Sequence, residues 1–375
     1  MQKIILVAGA RPNFVKIAPL WRVFSQREGV QVIVVHTGQH YDDNMNGVFF
    51  EDLGLPRPDY NLNAGGQTHA RQTADIMARF DEVLDREQPH DVVVVGDVNS
   101  TMACSLVAVK RGIRVSHVEA GLRSFDRSMP EEINRLVTDA VAGLLFVSEP
   151  SGMDNLRREN VPDEKVWLVG NVMIDSLVYA REKIDDSDVL ERFGLADKGF
   201  ALVTMHRPSN VDAPERLGAI MSWLRNLSNR IPVVFPMHPR TLKQLESSGL
   251  PGFSDPLAHP ALNIISPQGY IDFQRLLRSA QFVLTDSGGL QEETTWLGVP
   301  CITLRNNTER PVTVEQGTNC LVGEDINKAD EMVRQYLAGK CENSHVPELW
   351  DGHTAQRIAD VIIRGAFHGE NHGRT

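Results

Sequence analysis

Three carboxylates in the first half of the chain stand where acids do little for stability and can do much for proton transfer. Asp97 follows the run DVVVVG at 91–96, and Glu119 follows the apolar run at 113–118. Each stands just past the last residue of a short β-branched run, so both are expected at one edge of a parallel sheet. Paired acids at such an edge push their pKa values apart, which suits one to give a proton and the other to take it. Glu131 follows Pro130 in SMPEEINR, at the first turn of a helix. An acid there also complements the helix dipole, and Glu132 would serve that purpose equally well. His206 and His238 end two later strands, in MHRP and MHPR. Histidines at equivalent edges can work as acid or base, or be ordinary satisfied polar groups.

A second set of residues reads as an anion site. The stretch FVLTDSGGLQEE at 282–293 goes from an apolar strand through Ser287-Gly288-Gly289 into a helix expected from Leu290, with Glu292 and Glu293 in its first turn. The first helical N–H groups lack internal partners and carry a partial positive charge. Two glycines let that backbone approach a phosphate closely. Glu293 could accept from a ribose diol, although an ordinary strand–helix turn is the alternative. Arg310 precedes Pro311 at another helix start, and Arg11 and Lys16 flank Pro12 after the first strand. Phe273, in the helix after Gln268 and Tyr270, can be core or a platform for a base.

These residues need strands and helices in alternation to bring them together. Apolar runs at 3–8, 32–36, 91–96, 113–118, 144–148 and 166–169 alternate with helical patterns. A second series of runs lies at 200–205, 232–236, 263–266, 282–284 and 300–304. The expected class is therefore α/β, with two doubly wound parallel-sheet (Rossmann-like) domains facing a cleft. We expect an N-terminal domain over 1–170, a nucleotide domain over 171–354, and a final helix within 355–375 returning to the first domain. The polar stretch 181–197 reads as the connection, and Pro19 is expected to kink the first helix. Asp186-Ser187-Asp188 reads as solvated surface.

Bulk properties narrow the function. The chain has 375 residues, a hydrophobic fraction of 42% and a formal net charge of -11. An acidic balance argues against nucleic acid or an anionic membrane as partner. Four scattered cysteines, Cys104, Cys301, Cys320 and Cys341, give neither a metal spacing nor a disulfide framework, which fits a reducing cytoplasm. No dinucleotide glycine motif, phosphate-loop lysine motif or zinc-helix motif is present. Acid–base chemistry on a nucleotide-linked sugar, with no cofactor and no metal, fits these constraints.

The motifs GARPNFVKIAPL, TGQHYD, VVVVGDVNST, HVEAGLRS, MPEEINR, PMHPR, PQGY, LTDSGGLQEE and TERP run in order along nearly the whole chain. With them the sequence resembles the non-hydrolysing UDP-N-acetylglucosamine 2-epimerases, which have the two-domain GT-B fold. That resemblance implies reversible C2 epimerisation of UDP-N-acetylglucosamine to UDP-N-acetylmannosamine, through elimination and re-addition of UDP. It implies that Arg11, Lys16, Asp97, Glu119 and His206 contact the sugar nucleotide, and that Gln268 and Phe273 hold uracil. Ser287, Gly288 and Gly289 would bind the diphosphate, Glu293 the ribose and Arg310 the phosphates. Asp97, Glu119, Glu131 and His206 match the family's acid–base residues, and a homodimer is implied. A glycosyltransferase of the same fold, or an epimerase of a modified UDP-acetamido sugar, is the alternative. Asn13 departs from the family's usual glutamate. Asp42 and Gly66 stand where substrate-activated members carry polar and basic groups, while Gln39 is kept. Activation by the substrate itself is therefore not expected.

Overall fold

In the computed structural model, residues 1–38, 49–66, 68–247, 261–340 and 344–364 are described. The chain divides into two compact units. Met1–Tyr179 and the stretch from Glu348 form one, and Ala180–Pro347 form the other.

The first unit holds a seven-stranded sheet in the order β3-β2-β1-β4-β5-β6-β7, with every pairing parallel. Its strands are β1 (Gln2–Ala8), β2 (Val30–His36), β3 (Tyr60–Asn61), β4 (Asp91–Val95), β5 (Arg114–Val118), β6 (Leu144–Val147) and β7 (Val166–Leu168). The central strands read as unbroken apolar runs because helices cover both faces. The order reverses between β1 and β4, and at such a switch point the loops after neighbouring strands part to leave a crevice. Arg11 and Lys16 follow β1, and Asp97 follows β4.

The second unit has six parallel strands in the order β10-β9-β8-β11-β12-β13. They are β8 (Ala201–Thr204), β9 (Val233–Pro236), β10 (Leu262–Ile265), β11 (Phe282–Thr285), β12 (Cys301–Thr303) and β13 (Asn319–Leu321). Period-two alternation gives the sheet two cores. Ala201, Val203, Val233 and Phe235 belong to one cluster, while Leu202, Val234 and Val283 belong to the other. Here the switch point lies between β8 and β11, which brings the ends of FVLT and ALVT side by side.

Three local expectations gain detail, and the third is corrected. The stretch 181–197 is exposed over most of its length, with Asp186 and Asp188 at the surface, but it is built of helices. The helix Val172–Asp185 runs through its start, and Val189 and Leu190 of the next short helix are core residues of the second unit. The helix Arg11–Ser25 continues as one element past Pro19. Proline lacks the N–H that would reach the Val15 carbonyl, and the Ser176 hydroxyl donates to that carbonyl instead at 2.6 Å. The helix after Ser287 starts at Gly288, so Glu292 and Glu293 lie in its second turn and are not its N-terminal acids.

The helix Thr354–Arg364 belongs to the first unit. Its first N–H groups, on Thr354 and Ala355, donate to Asp175 at 3.1 and 2.7 Å. Farther along, Asp360 pairs with Arg27 at 2.6 Å. Among the described residues, no helix is long and apolar enough to cross a membrane.

Candidate active site

The switch point of the first unit carries a buried ion pair. Lys16 Nζ contacts Glu119 Oε2, and both side chains are almost wholly buried. Glu119 follows β5 with φ of 69°, a left-handed conformation that is costly for a residue with a Cβ. Gly96, at φ of 67°, lies beneath the pair. A Cβ built there would come within 3.1 Å of Lys16 Nζ and 3.4 Å of Glu119 Oε2. Among the described residues, the other carboxylate oxygen of Glu119 is buried with no hydrogen-bond partner. An unpartnered oxygen on a buried carboxylate is expensive, and sites that take or give protons are where such costs recur.

Several neighbours hold this turn. His117, wholly buried in β5, places Nε2 2.8 Å from the Gly96 carbonyl and Nδ1 2.6 Å from Asp139. The Gly121 N–H donates to Asp139 at 3.0 Å, and Arg123 pairs with it at 2.7 Å. Burial alone would raise the Asp139 carboxyl, but His117 and Arg123 outweigh that and hold it low. Asn13 accepts from the N–H groups of Gly9 and Ala10 and donates to the Val95 carbonyl. The departure at position 13 thus ties the end of β1 to the end of β4.

Asp97 is about a quarter exposed and pairs with Arg135 at 2.5 Å. Arg135 also binds Glu132 at 2.7 Å. Glu132 in turn accepts from the Ser124 N–H and hydroxyl and from the Phe125 N–H. Of the two acids after Pro130, then, Glu132 fastens the loop, and Glu131 takes part in none of these bonds. Arg11 begins its helix, with its guanidinium carbon 4.9 Å from the centre of the Phe49 ring.

The switch point of the second unit brings two glycines at a helix N-terminus together with two arginines. Gly288 and Gly289 open the helix Gly288–Leu297, and Ser287 is its N-cap residue. A Cβ at Gly288 would meet Arg310 Nη1 at 2.8 Å, with Arg305 Nη1 at 3.8 Å. Arg310 is 3.0 Å from Glu292, and Arg305 is held by two bonds to Glu309 at 3.0 and 2.7 Å. Two guanidinium groups therefore meet the bare backbone of a helix N-terminus, the combination that favours phosphate oxygens. Gln291 braces Thr308 at 2.6 Å and Asn319 at 2.9 Å.

Glu293 is buried and accepts from Gln274 at 2.8 Å. Burial pushes its carboxyl up to about 8; Gln274 opposes the rise and Glu292 adds to it. The folded protein therefore holds a proton on Glu293 that the unfolded chain releases near pH 4.5. This costs nothing below that pH, grows as pH rises to about 8, and is constant above. Glu293→Gln should thus raise the melting temperature by a margin that widens from pH 5 to 8 and then levels. Melting curves of both proteins across that range check it, and a margin independent of pH would count against it.

His206, after β8, is more than half exposed, and the wholly buried Asp286 lies beside it. Gln268 bonds its own loop through the Ser266 carbonyl at 2.7 Å. Phe273 is half-buried against the core that contains Leu276 and Leu290. His238 is exposed. Gln39 and Asp42 lie outside the described residues.

Residues of these clusters that carried no expected role include His117, Arg123, Arg135, Asp139, Gln274, Asp286 and Arg305. Arg135 lies within MPEEINR and Asp286 within LTDSGG, so the motifs contained them. Their partners lie 38 and 80 positions away, beyond what spacing reveals.

A family profile described as UDP-N-acetylglucosamine 2-epimerase matches residues 22–363. The UDP-N-acetylglucosamine 2-epimerase of Methanocaldococcus jannaschii is 40% identical over 370 residues, covering 97% of this chain and 100% of that one. Its crystal structure in complex with UDP-GlcNAc and UDP matches with a TM-score of 0.89, at 40% identity and the same coverage. A UDP-2,3-diacetamido-2,3-dideoxy-D-glucuronate 2-epimerase of Pseudomonas aeruginosa is 39% identical over 366 residues, covering 96% of this chain and 99% of that one.

Proposed function

Since this chain belongs to the UDP-N-acetylglucosamine 2-epimerase family, we propose that it interconverts UDP-N-acetylglucosamine and UDP-N-acetylmannosamine. The observation that carries the reading is the buried Lys16–Glu119 pair at the switch point of the first unit, whose second carboxylate oxygen has no partner among the described residues. The proton at C2 of the sugar is not next to a carbonyl, so direct removal is too costly. Departure of UDP from C1 develops positive charge there and makes the C2 proton acidic. A base removes it, leaving 2-acetamidoglucal, and re-addition delivers a proton to the opposite face together with UDP at C1. Two proton carriers are needed on the two faces. Asp97 and Glu119 supply them, with Glu131 and His206 as further acid–base groups. Arg11 and Lys16 contact the sugar nucleotide beside them.

In the second unit, the N–H groups at Ser287–Gly289 and the Arg310 guanidinium take the diphosphate and stabilise its charge as it leaves. Glu293, protonated at neutral pH, can both donate to and accept from a ribose diol. Gln268 and Phe273 flank the uracil. The final helix serves the first unit, and the working protein is a homodimer.

Proton NMR of UDP-N-acetylglucosamine with enzyme in D2O tests this. The C2 proton signal should vanish from both epimers, in buffer containing chelator and no nicotinamide. Retention of that proton, release of free UDP as the main product, or activity restored only by a divalent ion would overturn it. The Pseudomonas aeruginosa relative favours a second reading, a 2,3-diacetamido uronic acid sugar on the same nucleotide. The ratio of kcat/KM for the two UDP-sugars decides between them.

A further inference from the structure

His117 lies in β5, wholly buried, and its ring is bonded at both nitrogens. On one side, Nε2 is 2.8 Å from the Gly96 carbonyl, in the peptide group that leads into Asp97. On the other, Nδ1 is 2.6 Å from Asp139 Oδ1. Asp139 Oδ2 accepts from the Gly121 N–H at 3.0 Å, in the turn that begins at Glu119. A carbonyl can only accept, so Nε2 carries a proton. Two bare lone pairs facing each other would repel, so a second proton lies between Nδ1 and Oδ1. Arg123, at 2.7 Å, and the Gly121 N–H already stabilise the Asp139 anion, which leaves that proton on the ring. The ring is thus a donor at both ends.

Other bonds fasten the same turns. Asn134 Nδ2 donates to the Asp97 carbonyl at 2.9 Å, and the Gly96 N–H donates to the Val118 carbonyl at 3.1 Å. The peptide group before Asp97 is therefore set by His117, and the one after it by Asn134. Asn134 and Asp139 share the helix Pro130–Val141.

We propose that His117 is a positioning residue: one rigid ring, with Asp139, bridges the turn of Asp97 to the turn of Glu119 and fixes the spacing of the two proton carriers. The inference rests on the 2-epimerase reading for the roles of those acids, but the bridge itself does not. His117 touches no substrate in this account; it acts through the backbone of both turns.

Two amides cut the bridge at different ends. Asparagine reaches about as far as Nδ1, so His117→Asn keeps a donor for Asp139 and leaves the Gly96 carbonyl unmet. Glutamine reaches about as far as Nε2, so His117→Gln keeps the Gly96 bond and leaves Asp139 Oδ1 unmet. Both variants should melt lower, so turnover is normalised to folded protein. A misplacement on the order of 1 Å can cost about 100-fold in rate, and each variant's turnover should fall by about that factor. The KM for UDP-N-acetylglucosamine and the Kd for UDP should stay within about threefold of wild type. On an Asp97→Asn background, His117→Asn should lower turnover by less than about threefold further, because the group it misplaces is already disabled.

Neutron diffraction from wild-type crystals should show one deuteron on Nε2, aimed at the Gly96 carbonyl, and one between Nδ1 and Asp139 Oδ1. A bare Nε2 would overturn the proposal, and that measurement needs no variant to fold. Unchanged turnover, full additivity with Asp97→Asn, or a KM that rises in step with the lost turnover would overturn it as well. Failure of the epimerase reading would show separately, as retention of the C2 proton by wild type. The deuteron positions use neither sugar nor turnover and stand apart from it.

Discussion

Glu119→Gln and Asp97→Asn should each lower turnover by about 10²–10⁴-fold, the range for a general acid or base, while UDP affinity stays within about threefold of wild type. The case for Glu119 is geometric. Its backbone is held left-handed at φ 69°, one oxygen is pinned by Lys16, and the other is buried with no partner among the described residues. Strain and an unmet oxygen in one residue are tolerated where the surroundings over-determine them, and His117, Asp139 and Gly121 do that here. Glutamine keeps the shape and removes the charge. It also leaves the Lys16 ammonium without its counter-charge, so the variant should melt lower, and turnover must be normalised to folded protein. Asp97→Asn avoids this complication, because Asp97 is partly exposed and Arg135 keeps Glu132 as a partner. Steady-state kinetics with both UDP-sugars, read beside deuterium uptake at C2, make the test. Unchanged turnover with a raised KM in either variant would remove that residue from proton transfer.

How far the sequence disclosed this arrangement depends on the range of the forces involved. Long β-branched runs such as DVVVVG announced their strands because a sheet covered on both faces demands them. The edge strands Tyr60–Asn61 and Asn319–Leu321 were not foreseen, since two or three residues carry no period. Strand-end positions of Asp97, Glu119, His206 and Ser287 follow from local pattern alone. What the pattern could not give is which charge meets which. Arg135 bridging Asp97 and Glu132, or Asp286 receiving the His206 loop, is decided by strand order. The polar stretch 181–197 was legible only in part, for a related reason. Its composition looks solvated, but Val189 and Leu190 sit at a spacing that lets two apolar side chains reach the core. The hydroxyl that meets the carbonyl Pro19 abandons, on Ser176, lies far along the chain and no local pattern announces it.

Arg310→Ala should act on the other half of the chemistry, raising KM and the Kd for UDP by about tenfold or more, as expected from one lost charge-assisted contact of roughly 1.5–3 kcal/mol. Turnover should fall by a smaller factor. The guanidinium lies where a side chain at Gly288 would be, so a phosphate at that helix N-terminus meets backbone N–H groups and Arg310 together. Such contacts serve ground state and transition state alike, and their loss appears chiefly in binding. Arg305 does not replace it, because its Nη1 lies 3.8 Å from that position against 2.8 Å for Arg310. Arg310→Lys separates charge from geometry: an ammonium keeps the charge but not the planar fork, so it should recover only part of the affinity. Gly288→Ala should weaken UDP in the same direction, since the added methyl must displace Arg310 Nη1 from 2.8 Å. Calorimetric titration with UDP and steady-state kinetics check all three. If Arg310→Ala lowers turnover as far as Asp97→Asn with KM unchanged, the arginine acts on the departing charge alone, and the division of labour between the two units is wrong.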